Sequence, residues 1–105
     1  MQESISQGTL SPTGTVLATG RGDISPLTKT LAMRFNNPAA YDLHLQKYDA
    51  ATATTVTIYN LTLDAGDTVT DNLSYVLKAG DQLIASSSVA GTTYYAYSID
   101  YAISG

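Results

Sequence analysis

Apolar residues recur at every second position in several short stretches of this 105-residue chain, and no ten-residue window carries the apolar stripe of a helix. Leu27, Lys29, Leu31, Met33 and Phe35 alternate with Thr28, Thr30, Ala32 and Arg34, which predicts a half-buried strand. Asn36-Asn37-Pro38 ends it, because proline has no backbone donor and restrains the residue before it. Tyr41, Leu43 and Leu45 resume the pattern with Asp42, His44 and Gln46 facing away. Residues 49–53 read as a turn, and residues 54–63 as a second β-rich run with Val56, Ile58 and a register change near Tyr59-Asn60. At the end of the chain, Tyr95, Tyr97, Ile99, Tyr101 and Ile103 alternate with Ala96, Ser98, Asp100 and Ala102. With a short strand over residues 16–18, about eight short strands result. The predicted fold is all-β, a small antiparallel β-sandwich with jelly-roll or Greek-key connections.

Residues 61–88 repeat one device. Ala65-Gly66-Asp67 is echoed fourteen positions later by Ala79-Gly80-Asp81, each between a strand-like segment and another. Glycine supplies the backbone freedom of a tight corner and Asp caps the turn through nearby amides. The repeat predicts successive antiparallel strands folding back over a shared core, and it specifies geometry without chemistry.

Composition narrows the partners. One domain of 11.1 kDa unfolds to about 16,000 Å² and folds to about 5,700 Å², so roughly two-thirds of its surface can be buried. Charged residues make up 13% of the chain, about half the usual share, and fifteen Thr and ten Ser keep the surface polar instead. A surface so poor in charge tolerates being covered. The net charge of −4, with Arg21, Lys29, Arg34, Lys47 and Lys78 scattered, leaves no basic stripe for direct nucleic-acid binding. The absence of cysteine excludes a disulfide framework and a thiolate metal site. No secretory pattern opens the chain, and its longest apolar run, residues 94–97, is far shorter than a membrane span. The expectation is a complete small gene product, made in the cytoplasm and not associated with a membrane.

Residues 1–14 mix Ser, Gln, Gly, Thr and Pro around two apolar anchors, Ile5 and Leu10. They are expected to be a frayed terminus or an extended N-terminal arm, flexible in the isolated chain, that orders by laying Ile5 and Leu10 on a neighbouring subunit, with residues 15–105 forming the sandwich. Residues 20–26 are a loop by their turn residues. The Arg21-Gly22-Asp23 tripeptide inside it, a sequence some integrins read, is accounted for by the turn preference of Gly followed by Asp.

Candidate chemistry is sparse. Asp64, Asp67, Asp71 and Asp81 surround the two corners, but their spacing matches no calcium loop, and Asp after Gly has a local reason to be there. His44, the single histidine, falls on a water-facing strand position, and no G-x-S-x-G elbow, phosphate loop or carboxylate cleft is present. Neither a catalytic residue nor a cofactor or metal site is expected. Asn60-Leu61-Thr62 and Asn72-Leu73-Ser74 fit the glycosylation pattern, which has no machinery to read it without secretion. Eight tyrosines against one phenylalanine are more informative, because tyrosine suits half-covered surfaces. Tyr94, Tyr95, Tyr97 and Tyr101 crowd one end of the chain, and Tyr94 and Tyr95 must point to opposite faces of a strand.

From Lys29 onward, TLAMRFNNPAAYDLHLQ, LTLDAGDTVTDNLSYVLKAGDQLIASSS and YYAYSIDY resemble a small β-sandwich module of tailed-phage virion proteins, over about three-quarters of the chain. The shared features are an Asn-containing strand end and two Gly-Asp corners before an alanine- and serine-rich strand. The polar link over residues 49–55 departs from the pattern. The resemblance implies a non-enzymatic capsid decoration, or cement, protein that binds the major capsid protein on the virion surface. A tail fibre, spike or carbohydrate-binding adhesion module is the alternative. Ile5, Leu10, Pro12, Tyr94 and Tyr97 are the expected capsid or subunit contacts, in a homotrimer.

Overall fold

A computed structural model describes residues 2–22 and 27–101. Among these, nine strands follow in order: β1 (Gln2–Thr9), β2 (Thr15–Thr19), β3 (Leu27–Asn36), β4 (Tyr41–Asp49), β5 (Thr54–Leu63), β6 (Thr68–Asp71), β7 (Tyr75–Leu77), β8 (Gln82–Ser87) and β9 (Thr93–Tyr101). They pair antiparallel in nested fashion. The β4–β5 hairpin is innermost, then β3 with β6 and β7, then β2 with β8, and β1 with β9 outermost. Rolling this long hairpin over itself places alternate pairs in opposite sheets, β1-β9-β3-β6 with β7 also on β3, and β2-β8-β4-β5. That order is a jelly roll.

The hairpin tip is held by Asp49, whose Oδ1 accepts the amides of Ala51 at 3.0 Å and Thr52 at 3.4 Å. The register change expected near Tyr59-Asn60 is a bulge at Ile58, where Leu45 faces Tyr59 and Gln46 faces Thr57.

Between the sheets lie Leu17, Met33, Phe35, Tyr41, Leu43, Leu45, Leu77, Leu83, Ala85 and Ala96. The uninterrupted alternation expected along β3 is corrected by a second bulge. Thr30 faces Ser98 and Ala32 faces Tyr97, leaving Leu31 as the extra residue. One extra residue exchanges the two faces of a strand. Thr28 and Thr30 are therefore buried before the bulge, and Met33 and Phe35 after it.

Polar groups fill the space where Leu27 and Lys29 turn outward. Thr28 donates to Asp100 Oδ1 at 2.8 Å, and Thr30 and Ser98 hydroxyls meet at 3.3 Å. At the opposite end of the sandwich, Asn37 donates to Thr92 at 2.8 Å, which meets Ser87 at 2.6 Å. Among the described residues no buried side-chain nitrogen or oxygen lacks a partner, which is what makes burying so many hydroxyls tolerable.

The expected arm is also corrected. Gln2–Thr9 does not stand away from the sandwich but pairs along its length with β9, and Leu10 is a core residue whose amide bonds Thr92 O at 2.8 Å. On the interior side of the sheet β1 carries the small residues Ser4, Ser6 and Gly8, opposite Ser98, Ala96 and Tyr94, with Ser4 and Gly8 exposed at the sheet edge. The Tyr94 ring lies over Gly8 and its hydroxyl meets Ser6 Oγ at 3.1 Å.

Candidate functional site

The outward face of the β1-β9-β3-β6 sheet collects the side chains that the interior does not use. Because Ala96, Ser98 and Asp100 point inward, Thr93, Tyr95, Tyr97, Ile99 and Tyr101 must point out. Cross-strand register sets their neighbours in rows. Glu3, Ile99, Lys29 and Val76 form one row, and Ile5, Tyr97 and Ala32 the next. Gln7, Tyr95, Arg34 and Thr70 follow, and beyond them Thr93, Asn36 and Thr68. Leu27 sits opposite Tyr101 at the far end.

The face thus has two parts. Ile5 is 59% exposed and Val76 40%, and with half-buried Tyr97, Ile99, Tyr101 and Leu27 they make an aromatic and aliphatic end. Charges there are turned onto rings: Lys29 Nζ lies 5.3 Å from the Tyr101 centroid, within reach of a cation–π contact. The Tyr97 hydroxyl is pushed up from its ordinary pKa by loss of water around it and by its hydrogen bond to the Glu3 carboxylate. The other end of the face is polar and slightly hollow.

Of the expected contact residues, Ile5 and Tyr97 lie on this face and Pro12 is exposed in the β1–β2 turn. Leu10 and Tyr94 do not join them, since Leu10 is 3% exposed and Tyr94 packs on the core. Sequence reasoning missed Tyr101, Ile99, Leu27 and Val76 as their companions. The hydroxyl and carboxylate residues alternating with the tyrosines form the buried side here, and alternation by itself does not say which side that is.

Three of the four corner carboxylates, those of Asp67, Asp71 and Asp81, already accept hydrogen bonds. Asp71 Oδ2 accepts the hydroxyls of Tyr75 at 2.7 Å and Tyr59 at 3.0 Å, and its Oδ1 accepts the Leu73 amide at 2.9 Å. This clamp joins β5 of one sheet to β7 of the other. Both phenols are held well above their ordinary pKa, by burial first and then by the hydrogen bond to Asp71 and its charge. Asp81 is buried in the β7–β8 corner, and Asp64 and Asp67 are exposed at the β5–β6 corner. Among the described residues no group of three His, Asp or Glu side chains is arranged to hold a metal. His44 is half-buried on the outward face of the second sheet, beside Asn60 and Ser86. Asn60 and Asn72 are exposed. Asp23 of the Arg-Gly-Asp tripeptide and Ile103 lie outside the described residues.

No family model matches the chain, and no curated protein matches it. The fold is shared with a solved chain of Bacillus endospore appendages, described as a family of disulfide-linked pili. The match covers 98% of this chain and 87% of that one, with a TM-score of 0.53 and 13% sequence identity. That likeness supports the β-sandwich architecture. The disulfide link is a property of those pili, and the present chain has no cysteine with which to form one.

Proposed function

We propose that the protein is a non-enzymatic structural subunit of a virion surface. In this reading it is a capsid decoration protein that seats the aromatic end of its sheet face on the major capsid protein and associates as a homotrimer. The observation that carries the reading is the inversion at that end of the sandwich. Thr28, Thr30, Ser98 and Asp100 are 0–3% exposed, while Leu27, Tyr97, Ile99 and Tyr101 face out. The fold of the isolated chain gains little from that choice. A partner gains apolar area, worth about 25 cal/mol per Å² removed from water. Tyrosine adds large contact area with few rotatable bonds to immobilise. The low charge density of the chain and its resemblance to tailed-phage modules support the virion form.

Pelleting tests the proposal directly. Pure protein mixed with undecorated capsids of the corresponding phage should sediment with them at saturable stoichiometry, and light scattering should give three times the chain mass. Replacing Tyr97 and Ile99 by Ser should abolish co-sedimentation while leaving the melting temperature within a few degrees. Protein that never pellets with capsids would sink the reading. A pilus-type subunit is the second reading, favoured by the likeness to the endospore appendages. Filaments grown from the pure protein alone, seen by negative stain, would select it.

A further inference from the structure

The polar end of the same face carries a feature that subunit contact does not account for. Gln7, Tyr95, Arg34 and Thr70 stand side by side across β1, β9, β3 and β6, each directly opposite the next. At about 4.8 Å per strand the row spans roughly 14 Å. Arg34 and Tyr95 line two adjoining hollows of 480 Å³ and 190 Å³ and share them with Thr70. The larger lies within the range of small-ligand sites, about 300–1,000 Å³.

The next row borders the hollow and is bonded within itself. Asn36 Nδ2 donates to Thr68 Oγ1 at 2.8 Å and to the carbonyl of Gly66 at 3.1 Å, while Thr93 donates to Asn36 O at 3.3 Å. Beside that row the side chains are uncommitted. The guanidinium of Arg34, exposed in a chain of net charge −4, forms no hydrogen bond or ion pair among the described residues, and neither do the side chains of Gln7 and Thr70. Glu3, the acid on this face, lies about 13 Å along β1 from the row, and its carboxylate is engaged with the Tyr97 hydroxyl.

We propose that this row is a binding site for a carboxylate-bearing oligosaccharide, a uronic-acid type of glycan lying across the strands. Each requirement of such a ligand has a named group. The planar guanidinium of Arg34 matches a carboxylate in a two-pronged hydrogen bond. The Tyr95 ring, 36% exposed and directly beside it, offers an apolar plane to the C–H face of a pyranose. Thr70 on one side and Gln7 on the other supply donors and acceptors for sugar hydroxyls at strand spacing. A polyphosphate fits less well. It packs several charges against a single arginine and has no C–H face for the Tyr95 ring, whereas a uronic glycan spaces one carboxylate per sugar.

The test is independent of the capsid reading, because it uses the pure full chain. Trigalacturonate, its fully methyl-esterified form and tripolyphosphate are titrated while amide chemical shifts and tyrosine fluorescence are followed. The expected result is saturable binding of trigalacturonate with dissociation in the range of about 0.1–1 mM, shifts centred on Tyr95 and Arg34, and at least ten-fold weaker binding of the ester. Arg34→Gln and Tyr95→Ala should each weaken binding at least ten-fold with unchanged melting temperature. Lys78→Gln, which removes the same charge from an exposed corner elsewhere, should bind as wild type. No saturation by 10 mM trigalacturonate, wild-type binding by Arg34→Gln, equal binding of the ester, or preference for tripolyphosphate would each overturn the proposal.

Discussion

Two corners of this jelly roll share three residues of sequence and one backbone geometry, yet they do different work. At the first, Asp64 and Asp67 close a turn in which the Asp67 amide reaches Asp64 O at 3.1 Å and its Oδ2 accepts the Asp64 amide at 3.3 Å. At the second, the Asp81 amide reaches Lys78 O at 2.9 Å and its Oδ2 accepts the Lys78 amide at 3.0 Å. Gly66 and Gly80 have φ of 80° and 81°. Local sequence therefore writes the same turn twice. Tertiary position then separates them. Asp67 is exposed, whereas Asp81 is 1% exposed and accepts a second amide, that of Ala50 in the β4–β5 tip, at 2.9 Å. Lys47 Nζ lies 3.8 Å from its Oδ2, and its carbonyl accepts the Gly20 amide at 2.8 Å. The first corner is tied to its surroundings through its backbone alone, with the Gly66 amide on Asn37 O at 2.9 Å and the Tyr41 hydroxyl on Asp67 O at 2.7 Å, whereas the second also uses its carboxylate and pins three loops together.

Removing the carboxylates should break the symmetry most. Asp81→Ala strands two amides and a lysine beside a buried hole, and it should cost about 3 kcal/mol of unfolding free energy, since hydrogen bonds to a charged acceptor contribute about 1.5–3 kcal/mol each. Asp67→Ala loses one long bond in water and should cost under about 1 kcal/mol. Urea unfolding of the two variants measures both. Equal losses would mean that the loops beyond the second corner are held by something other than Asp81.

Acid should sharpen the same contrast. Burial alone would push the Asp81 carboxyl up, but the Ala50 and Lys78 amides and the charges of Lys47 and Lys78 outweigh it, so its pKa is lowered. A carboxyl whose folded pKa lies below its unfolded value contributes fully above the unfolded value, near 3.9. That contribution is lost as the pH falls through the folded value. Stability should therefore decline below about pH 4 in the native chain. In Asp81→Asn that decline should be flattened, and in Asp67→Asn it should persist unchanged. Melting curves between neutral pH and pH 2 decide the matter.

The corners also mark where the sequence is legible. The fourteen-residue echo, the Asn36-Asn37-Pro38 strand end and the turn at residues 49–53 depend on backbone chemistry local to a few residues, so a strand count and a sandwich could be inferred from them. The functional face could not be placed in the same way, because reading a strand assumes that its apolar side is the inner one. That assumption fails in β1, an edge strand whose interior side carries only Ser4, Ser6 and Gly8 opposite Ser98, Ala96 and Tyr94 and is largely exposed, and the segment therefore looked like an arm. It fails again in β9 and in the first half of β3, where hydroxyls and Asp100 satisfy one another inside. A single extra residue, Leu31, decides which half of β3 is inverted, and nothing in the alternation of its neighbours announces it.

Adding a methyl group to each corner glycine should have the next largest effect. Both positions have a left-handed φ that costs a non-glycine residue about 1 kcal/mol. A Cβ at Gly66 would meet nothing within 4 Å, whereas one at Gly80 would lie 3.0 Å from Ala50 Cβ. Gly66→Ala should thus lose about 1 kcal/mol from backbone strain alone, and Gly80→Ala about 2 kcal/mol from strain plus crowding. Thermal or urea unfolding of the pair measures the difference.

The smallest effect isolates that crowding. If the excess cost of Gly80→Ala comes from the Ala50 methyl group, deleting that group should restore the equality of the two corners. Ala50→Gly by itself loosens the β4–β5 tip and carries its own penalty of about 0.5–1 kcal/mol through chain entropy. In the double variant Gly80→Ala with Ala50→Gly, the two changes should therefore cost less than their sum. The coupling should be about 0.5–1 kcal/mol, as found for side chains in direct contact. The same Ala50→Gly change combined with Gly66→Ala should be additive within about 0.3 kcal/mol, because the first corner has no contact with that tip. Coupling at both corners would place the strain in the turn itself. Coupling at neither would show that the second loop yields freely to the added methyl, and Asp81 alone would then account for the difference between the corners.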